Sequence, residues 1–167
     1  MSDNLYQPPT AELTQPGAPQ GELASRWMRV WGVLLDTVIQ LTVMAPFLWL
    51  SGYWQRAMAG TVAPAETLIA GVGGFVLYLV INGYTLHKRG QSLGKIAVGT
   101  QIVSAHSREL KSLVHIAGLR LLPVSVVSNI PVIGAILALV DVLFVFRADK
   151  RCVHDLIAGT RVIKYGG

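Results

Sequence analysis

Charged residues are scarce in this chain. Aspartate, glutamate, lysine and arginine make up 14% of the 167 residues, whereas hydrophobic residues make up 52%. A soluble domain carries roughly 25% charged residues. This shortfall, together with several long apolar runs, argues against an ordinary soluble domain. It predicts an integral membrane protein with one membrane domain and short tails.

Cysteine is almost absent. Because Cys152 is the single cysteine, the chain cannot form an intramolecular disulfide, and it has no CxxC pair that would suggest a metal site. The histidines also lack the spacing of metal ligands, and no nucleophile or cofactor motif is evident. We therefore expect no metal, no cofactor and no enzymatic activity. The histidines are His87, His106, His115 and His154.

The start of the chain has no apolar segment, so we predict no cleavable signal peptide. Residues 1–22 are polar, and prolines at positions 8, 9, 16 and 19 oppose a regular helix. We expect a disordered cytoplasmic tail, followed by a membrane domain over residues 23–167. The tail is either a solvated leader or a docking segment for a partner, centred on Tyr6-Gln7-Pro8-Pro9.

Four apolar segments are expected to enter the membrane, and we predict an all-α integral membrane protein. Two full transmembrane helices are expected at about 27–50 and 67–86. A single helix over 113–146 would be roughly 50 Å long, against a hydrocarbon core of about 30 Å. The Asn-x-Pro breaker after Ser128 instead predicts a broken hairpin, with arms at 113–128 and 131–146, that either spans twice or is re-entrant.

Basic residues cluster beside the apolar segments, in the loop 87–112 and the tail 147–167, and the formal net charge is +5. Positive charge beside membrane segments is typical of the cytoplasmic side, so we predict both termini there. The expected partner is a bilayer with anionic headgroups, which Lys95 is predicted to contact, and not nucleic acid.

Two short strands are predicted on the cytoplasmic side. Apolar residues alternate with polar or small residues over 96–103, and a period of two is typical of a strand. Residues 160–164 form a second candidate. The two could pair as a small cytoplasmic β-hairpin or sheet.

A carboxylate interrupts the first apolar segment. Asp36 lies inside it, and Arg29 lies seven residues earlier on nearly the same helical face. An ionised side chain at membrane depth needs a partner or a wet cavity. Asp36 with Arg29 is therefore either a titratable carboxylate on an ion path or a structural pair.

A second charge pair is predicted in the hairpin. Arg120 precedes the predicted turn by about as many residues as Asp141 follows it, so the two would lie at similar depth and are expected to meet. They form either a structural pair or part of one polar cluster with Asp36.

Three motifs together resemble the RDD family of bacterial membrane proteins, named for one arginine and two aspartates. Arg29 and Asp36 match its first-helix pattern. The second aspartate is assigned to Asp155, with Asp141 as the alternative, and Arg120 lies where such proteins often carry an arginine. The resemblance runs from about 24 to 164. The other matching positions are Gly90, Gln91, Ser92, Leu93, Gly94 and Lys95 in the loop, and Arg151, His154, Leu156, Ala158, Gly159 and Thr160 in the tail.

The resemblance implies an inner-membrane protein, and transport has been suggested for the family, with some members resembling sodium/proton antiporters. A chain this small would not readily enclose an ion path, so we expect a homo-oligomer or a larger membrane complex. The alternative is a non-catalytic scaffold or an assembly or regulatory subunit. We interpret Asp155 as an anchor, because the adjacent His154 cannot face it across a helix. It would cap a helix or pair with a cytoplasmic arginine.

Overall fold

Two long helices, α1 (Arg26–Leu50) and α3 (Pro64–Arg89), form the membrane part of the computed structural model. Both are long and apolar enough to cross a membrane. Helix α1 begins after Ser25, whose hydroxyl accepts a hydrogen bond from Met28 N. Helix α3 begins at Pro64 and ends before Gly90, which adopts the left-handed conformation common after a helix. The two predicted full-length helices are confirmed.

The structure describes residues 22–107, 109–128, 130, 133–147 and 150–165. The predicted tail, apart from Glu22, lies outside the described residues. A short helix, α2 (Tyr53–Met58), occupies part of the predicted loop between the two long helices.

The predicted break in the region 113–146 is confirmed, because one helical stretch ends at Ser128 and the next begins at Ile133. Within the described residues only α1 and α3 are long enough to count as candidate spans, and the hairpin arms are shorter. The segments are α5 (Leu113–His115), a π-helical segment (Ile116–Leu121), α6 (Leu122–Ser128), α7 (Ile133–Leu143) and a 3₁₀ turn (Phe144–Phe146).

A two-stranded antiparallel sheet joins the loop after α3 to the C-terminal part of the chain. Strand β1 (Thr100–Ser104) pairs with β2 (Thr160–Lys164). Leu23, just before α1, forms an isolated antiparallel bridge with Ile163. The predicted sheet is confirmed.

The predicted start of the first strand at residue 96 is wrong. Residues Leu93–Ala97 form a helical turn, α4, that packs against α1. Gly99, with φ +66°, then turns the chain into β1. Contact with α1 therefore overrides the alternating pattern of these residues.

The buried apolar core lies at the end of the long helices where the sheet is attached. It contains Ala24 before α1, Leu86 near the end of α3, Ile102 and Val162 on the two strands, and Ile116 in the π-helical segment. By contrast, many large apolar side chains of α1 and α3 are exposed. The core therefore positions the polar side chains around the sheet, while the helix surfaces suit contact with lipid.

Candidate functional site

Asp155 lies at the centre of a buried charge cluster. Helix α8 (Val153–Ile157) carries it, and only 1% of its side chain is exposed. Its carboxylate accepts hydrogen bonds from Arg120 Nη1, from Arg29 Nη1 at 3.4 Å and from Thr160 Oγ1 at 3.0 Å. The cluster therefore joins α1, the π-helical segment and the end of the chain.

Each arginine of this cluster also bonds to β2. Arg29 Nη2 donates to the carbonyl oxygen of Val162 at 2.8 Å, and Arg120 Nη1 donates to Thr160 Oγ1 at 2.9 Å. Arg120 lies in the π-helical segment, a rare geometry that is often found at functional sites. The two arginines therefore link α1 and the π-helical segment to the sheet.

Asp155 also caps its own helix, since its carboxylate accepts a hydrogen bond from Cys152 N at 3.4 Å. Sequence reasoning predicted that it would cap a helix or pair with an arginine, and it does both. Burial alone would raise the pKa of Asp155, but Arg120, His154 and Arg29 outweigh burial and hold that pKa below its usual value. Asp155 is therefore ionised at neutral pH.

Asp36 is held by the loop that follows α3. Its carboxylate accepts hydrogen bonds from Ser92 Oγ at 2.5 Å and from Gly94 N at 2.7 Å. The ammonium of Lys95 lies 3.8 Å from Asp36 Oδ2. All three partners belong to the Gly90–Lys95 motif, so this motif forms the second buried site.

The predicted pairing of Asp36 with Arg29 is wrong. Seven residues advance a helix by about 10 Å, and each side chain finds a closer partner on a different element. Arg29 contacts α8 and β2, whereas Asp36 contacts the start of α4. The two residues do share the buried face of α1 with Gly32, as the helical spacing predicted.

Gly94 allows the loop to approach α1 closely. A Cβ atom at this position would lie 2.2 Å from Gly32 O and 2.8 Å from Asp36 N, and both of these are backbone atoms. A larger residue would therefore separate α4 from α1. The close approach explains how a backbone amide comes to bond to the Asp36 carboxylate.

Gly90 and Gln91 connect the same loop to β1. Gly90 has φ +62°, and a Cβ there would lie 2.6 Å from Ile102 O. The buried side chain of Gln91 donates to Thr100 O at 2.8 Å. The loop motif thus links α1, α3 and the sheet.

Sequence reasoning did not assign Ser92 or Asn82 to the site. Asn82 Oδ1 accepts a hydrogen bond from Leu93 N at 2.8 Å, which holds the start of α4 against α3. The available signal was a single amide side chain near the end of an otherwise apolar helix. For Ser92, the signal was its place between the two glycines of the motif.

The predicted contact of Lys95 with lipid headgroups is wrong, because only 9% of this residue is exposed. Burial lowers the pKa of Lys95 and Arg120 lowers it further, whereas Asp36 and then Asp155 partly oppose the shift. Charged residues of both buried clusters therefore affect the pKa of Lys95.

The predicted pairing of Arg120 with Asp141 is also wrong. Asp141 Oδ2 is 2.6 Å from His154 Nδ1, and Asp141 Oδ1 accepts a hydrogen bond from His154 N at 3.0 Å. Arg120 is instead bound by Asp155, the neighbour of His154. The hairpin and α1 do share a buried polar cluster, but they share it through Asp155.

One group of side chains among the described residues could hold a metal ion. Ligand atoms of Asp141, Cys152 and His154 lie within 4.8 Å of one another. Histidine spacing alone could not reveal this group, since two other residue types complete it. Burial first, and then Asp155, raise the pKa of Cys152 to about 12. A metal would thus have to displace the thiol proton and the His154–Asp141 hydrogen bond.

A comparison with family models agrees with the motifs. The model described as the RDD family matches residues 23–159. This range contains the charged residues of both buried clusters, from Arg29 to Asp155. No curated protein and no solved structure matches the chain.

Proposed function

The chain belongs to the RDD family, and we propose that it is a transporter, or a subunit of one, that moves cations or protons across the bacterial inner membrane. The observation that carries this proposal is the chemistry of the Asp36 site. A buried carboxylate faces a buried lysine, Lys95, at 3.8 Å. The remaining ligands of Asp36 are a hydroxyl and a backbone amide.

The identity of the cation beside Asp36 matters for transport. A carrier group must exchange partners, and an arginine does not lose its proton in a protein. A lysine can lose its proton, and burial together with Arg120 already lowers the pKa of Lys95. In the proposed cycle, Lys95 releases its proton to water on the side from which Asp36 takes up a cation. Lys95 takes a proton from water on the other side when that cation leaves.

Asp155 has the opposite character. Two arginines hold it, and both are nearly as buried as the carboxylate itself. We assign this cluster to holding α1, the hairpin and the sheet in one arrangement, and we assign ion exchange to Asp36 alone.

The proposed membrane arrangement has four segments. Helices α1 and α3 span the bilayer, and α5 to α7 form a shorter hairpin that enters it, with both chain termini in the cytoplasm. The outward apolar faces of α1 and α3 include highly exposed residues such as Trp27, Leu50 and Val80. Two spans do not readily enclose a path, so we propose that several copies, or a larger membrane complex, complete it.

The test is ion flux in proteoliposomes, with sodium and pH gradients imposed separately. Wild type is expected to carry ions, whereas Asp36→Asn and Lys95→Arg are expected to fall to the level of empty liposomes. Lys95→Arg tests the mechanism more specifically, because it keeps a positive charge near Asp36 but removes the proton that can be exchanged. Glu66→Gln is the matched control, since it neutralises a half-exposed carboxylate at the other end of α3.

Folding must be checked beside flux, by elution volume in detergent and by thermal unfolding. Flux in Asp36→Asn equal to wild type would refute the proposal, and so would a wild type without flux. Flux equal to wild type in Lys95→Arg would show that an exchangeable proton on Lys95 is not required, whereas the role of Asp36 would stand.

The alternative function is a membrane scaffold or assembly subunit. The Asp155 cluster favours this alternative, because two buried arginines that bind one carboxylate would hold the connected elements in a fixed arrangement. A pull-down from membranes that compares the full chain with one lacking residues 1–20 tests this alternative. A specific partner that is lost with the tail, together with absent flux, would favour the scaffold.

A further inference from the structure

A pocket outside both buried clusters lies between the start of α1 and the segment that follows α7. Its volume is about 300 Å³, at the lower end of the range of ligand pockets. Its walls combine apolar and aromatic side chains with two cations. The lining residues are Ser25, Arg26, Trp27, Val30, Phe146 and Lys150.

Arg26 is held in place at this pocket by its contacts with Phe146. Its guanidinium carbon lies 5.8 Å from the centre of the Phe146 ring, and Nη2 donates to Phe146 O at 3.3 Å. A guanidinium has five N–H donors in a planar fork that suits phosphate oxygens. Among the described residues, no carboxylate forms an ion pair with Arg26.

Lys150, in the segment after α7, supplies the second cation that lines the pocket. It has φ +51°, a left-handed conformation that is uncommon for a residue other than glycine. Within the described part of the chain its ammonium has no ion-pair partner. Lys150 is near enough to Glu22 to help Lys164 lower the pKa of that carboxyl group. The Glu22 carboxylate, however, forms its ion pair with Lys164, at 2.7 Å.

The surroundings indicate what kind of anion would fit. Trp27 is 72% exposed at the end of a candidate span, where tryptophan typically lies at the level of lipid headgroups. Two cations beside an apolar wall suit a molecule with a phosphate and an apolar tail. We propose that this pocket binds the phosphate of an anionic phospholipid from the cytoplasmic leaflet.

The experiment uses the full chain in nanodiscs, with Trp27 as the single tryptophan. Trp31, Trp49 and Trp54 are replaced by phenylalanine, which the exposure of all three side chains favours. Quenching by brominated phosphatidylglycerol is compared with quenching by brominated phosphatidylcholine. We expect a preference for phosphatidylglycerol of up to about 25-fold, because each of the two basic residues contributes about fivefold at a membrane surface.

The variant Arg26→Gln/Lys150→Gln is expected to reduce this preference to about one, and Lys150→Gln alone to reduce it partly, because each cation contributes about fivefold. The single variant decides the matter if the double variant does not fold. The control Lys88→Gln/Arg89→Gln removes the same charge from exposed positions at the end of α3 and is expected to keep the preference. An equal loss in the control, or no preference in the unaltered chain, would overturn the proposal.

A soluble phosphate ester is the other source of the same chemistry. Glycerol phosphate at millimolar concentration is added to nanodiscs of brominated phosphatidylglycerol. Unchanged quenching supports a lipid site. A fall in quenching to the phosphatidylcholine level, in the unaltered chain but not in the double variant, would assign the pocket to a soluble phosphate instead. None of these readouts depends on ion flux.

Discussion

The nature of the basic partner distinguishes the two buried aspartates. Asp155 faces two arginines, and Asp36 faces a lysine. Arginine stays charged under all ordinary conditions, whereas a buried lysine can release its proton. Two carboxylates of similar burial therefore suit different tasks, one holding the fold together and the other exchanging charge.

Asp155→Asn is expected to destabilise the protein by about 3–5 kcal/mol, because it removes the carboxylate that faces two buried arginines. The measurement is unfolding in detergent micelles by titration with sodium dodecyl sulfate, followed by tryptophan fluorescence. Glu66→Gln is the control, since its ion pair with Arg56 is more than one third exposed and such pairs contribute at most about 1 kcal/mol. A loss no larger in Asp155→Asn than in the control would contradict the assigned role.

The pH dependence of unfolding checks the same carboxylate. The pKa of Asp155 in the folded chain lies below its ordinary value of 3.8, because Arg120, His154 and Arg29 together outweigh burial. A carboxyl group with a lowered pKa stabilises the folded state above the ordinary pKa, and this stabilisation is lost as the pH falls through the folded-state value. Wild type should therefore lose stability below about pH 4 more steeply than Asp155→Asn.

Single-residue chemistry was largely predictable, but the pairing was not. Charge inside or beside apolar segments was enough to single out Arg29, Asp36 and Arg120, and the family resemblance singled out Asp155. Sequence distance and estimated depth then suggested the wrong partners. Asp36 is bound 56 and 58 residues away, and Arg29 is bound 126 residues away, by short elements whose positions depend on the whole fold.

The close contact between α4 and α1 at Gly94 is expected to matter for both the stability of the fold and the geometry of the Asp36 site. Gly94→Ala would place a methyl group against two backbone atoms of α1, neither of which can rotate away. We expect a loss of about 1–3 kcal/mol or more in the same unfolding assay, since overpacking forces backbone shifts. If Asp36 carries ions, flux should fall as well, because Gly94 N and Lys95 would move away from the carboxylate.

Gly118→Ala is the matched control, because a Cβ at Gly118 would meet no atom within 4 Å. In a helical segment, alanine in place of glycine is expected to stabilise by roughly 0.5–1 kcal/mol. Equal stability of the two variants would show that the close approach of α4 to α1 is not needed for folding.

Long helices were predicted correctly from the sequence, whereas a short helical segment was not. Long apolar runs produced α1 and α3 correctly, and the Asn-x-Pro breaker located the end of α6. Residues 93–97 form a helical turn where a strand was expected to begin, since a segment this short takes its conformation from its neighbours. The pairing of β1 with β2 was predictable because both segments lie on the basic side of the membrane segments.

In the whole molecule, the apolar core and both buried clusters lie around the sheet, while α1 and α3 extend away from it with exposed apolar sides. Tertiary packing is therefore concentrated at one end of the spans. This distribution supports an assembly in which lipid or further copies cover the exposed helix faces.

The length of the hairpin predicts how deeply it enters the membrane. The arm from Leu113 to Ser128 has about sixteen residues and would be roughly 24 Å long, against a hydrocarbon core of about 30 Å. We therefore expect a re-entrant hairpin whose tip, near Ile130, does not reach the outer surface. The measurement is labelling of single cysteines by an impermeant maleimide in intact and permeabilised cells.

Cys152→Ser provides the background, and three exposed positions then receive a cysteine one at a time. Thr61→Cys, between α2 and α3, should be labelled in intact cells, and Ser107→Cys, in the turn after β1, only after permeabilisation. These two variants define the outer and inner limits for the third. Ile130→Cys should remain unlabelled in intact cells, because the arms are too short to carry the tip across. Labelling of Ile130→Cys equal to that of Thr61→Cys would instead show that both arms cross the membrane, and the bilayer would then have to thin around them.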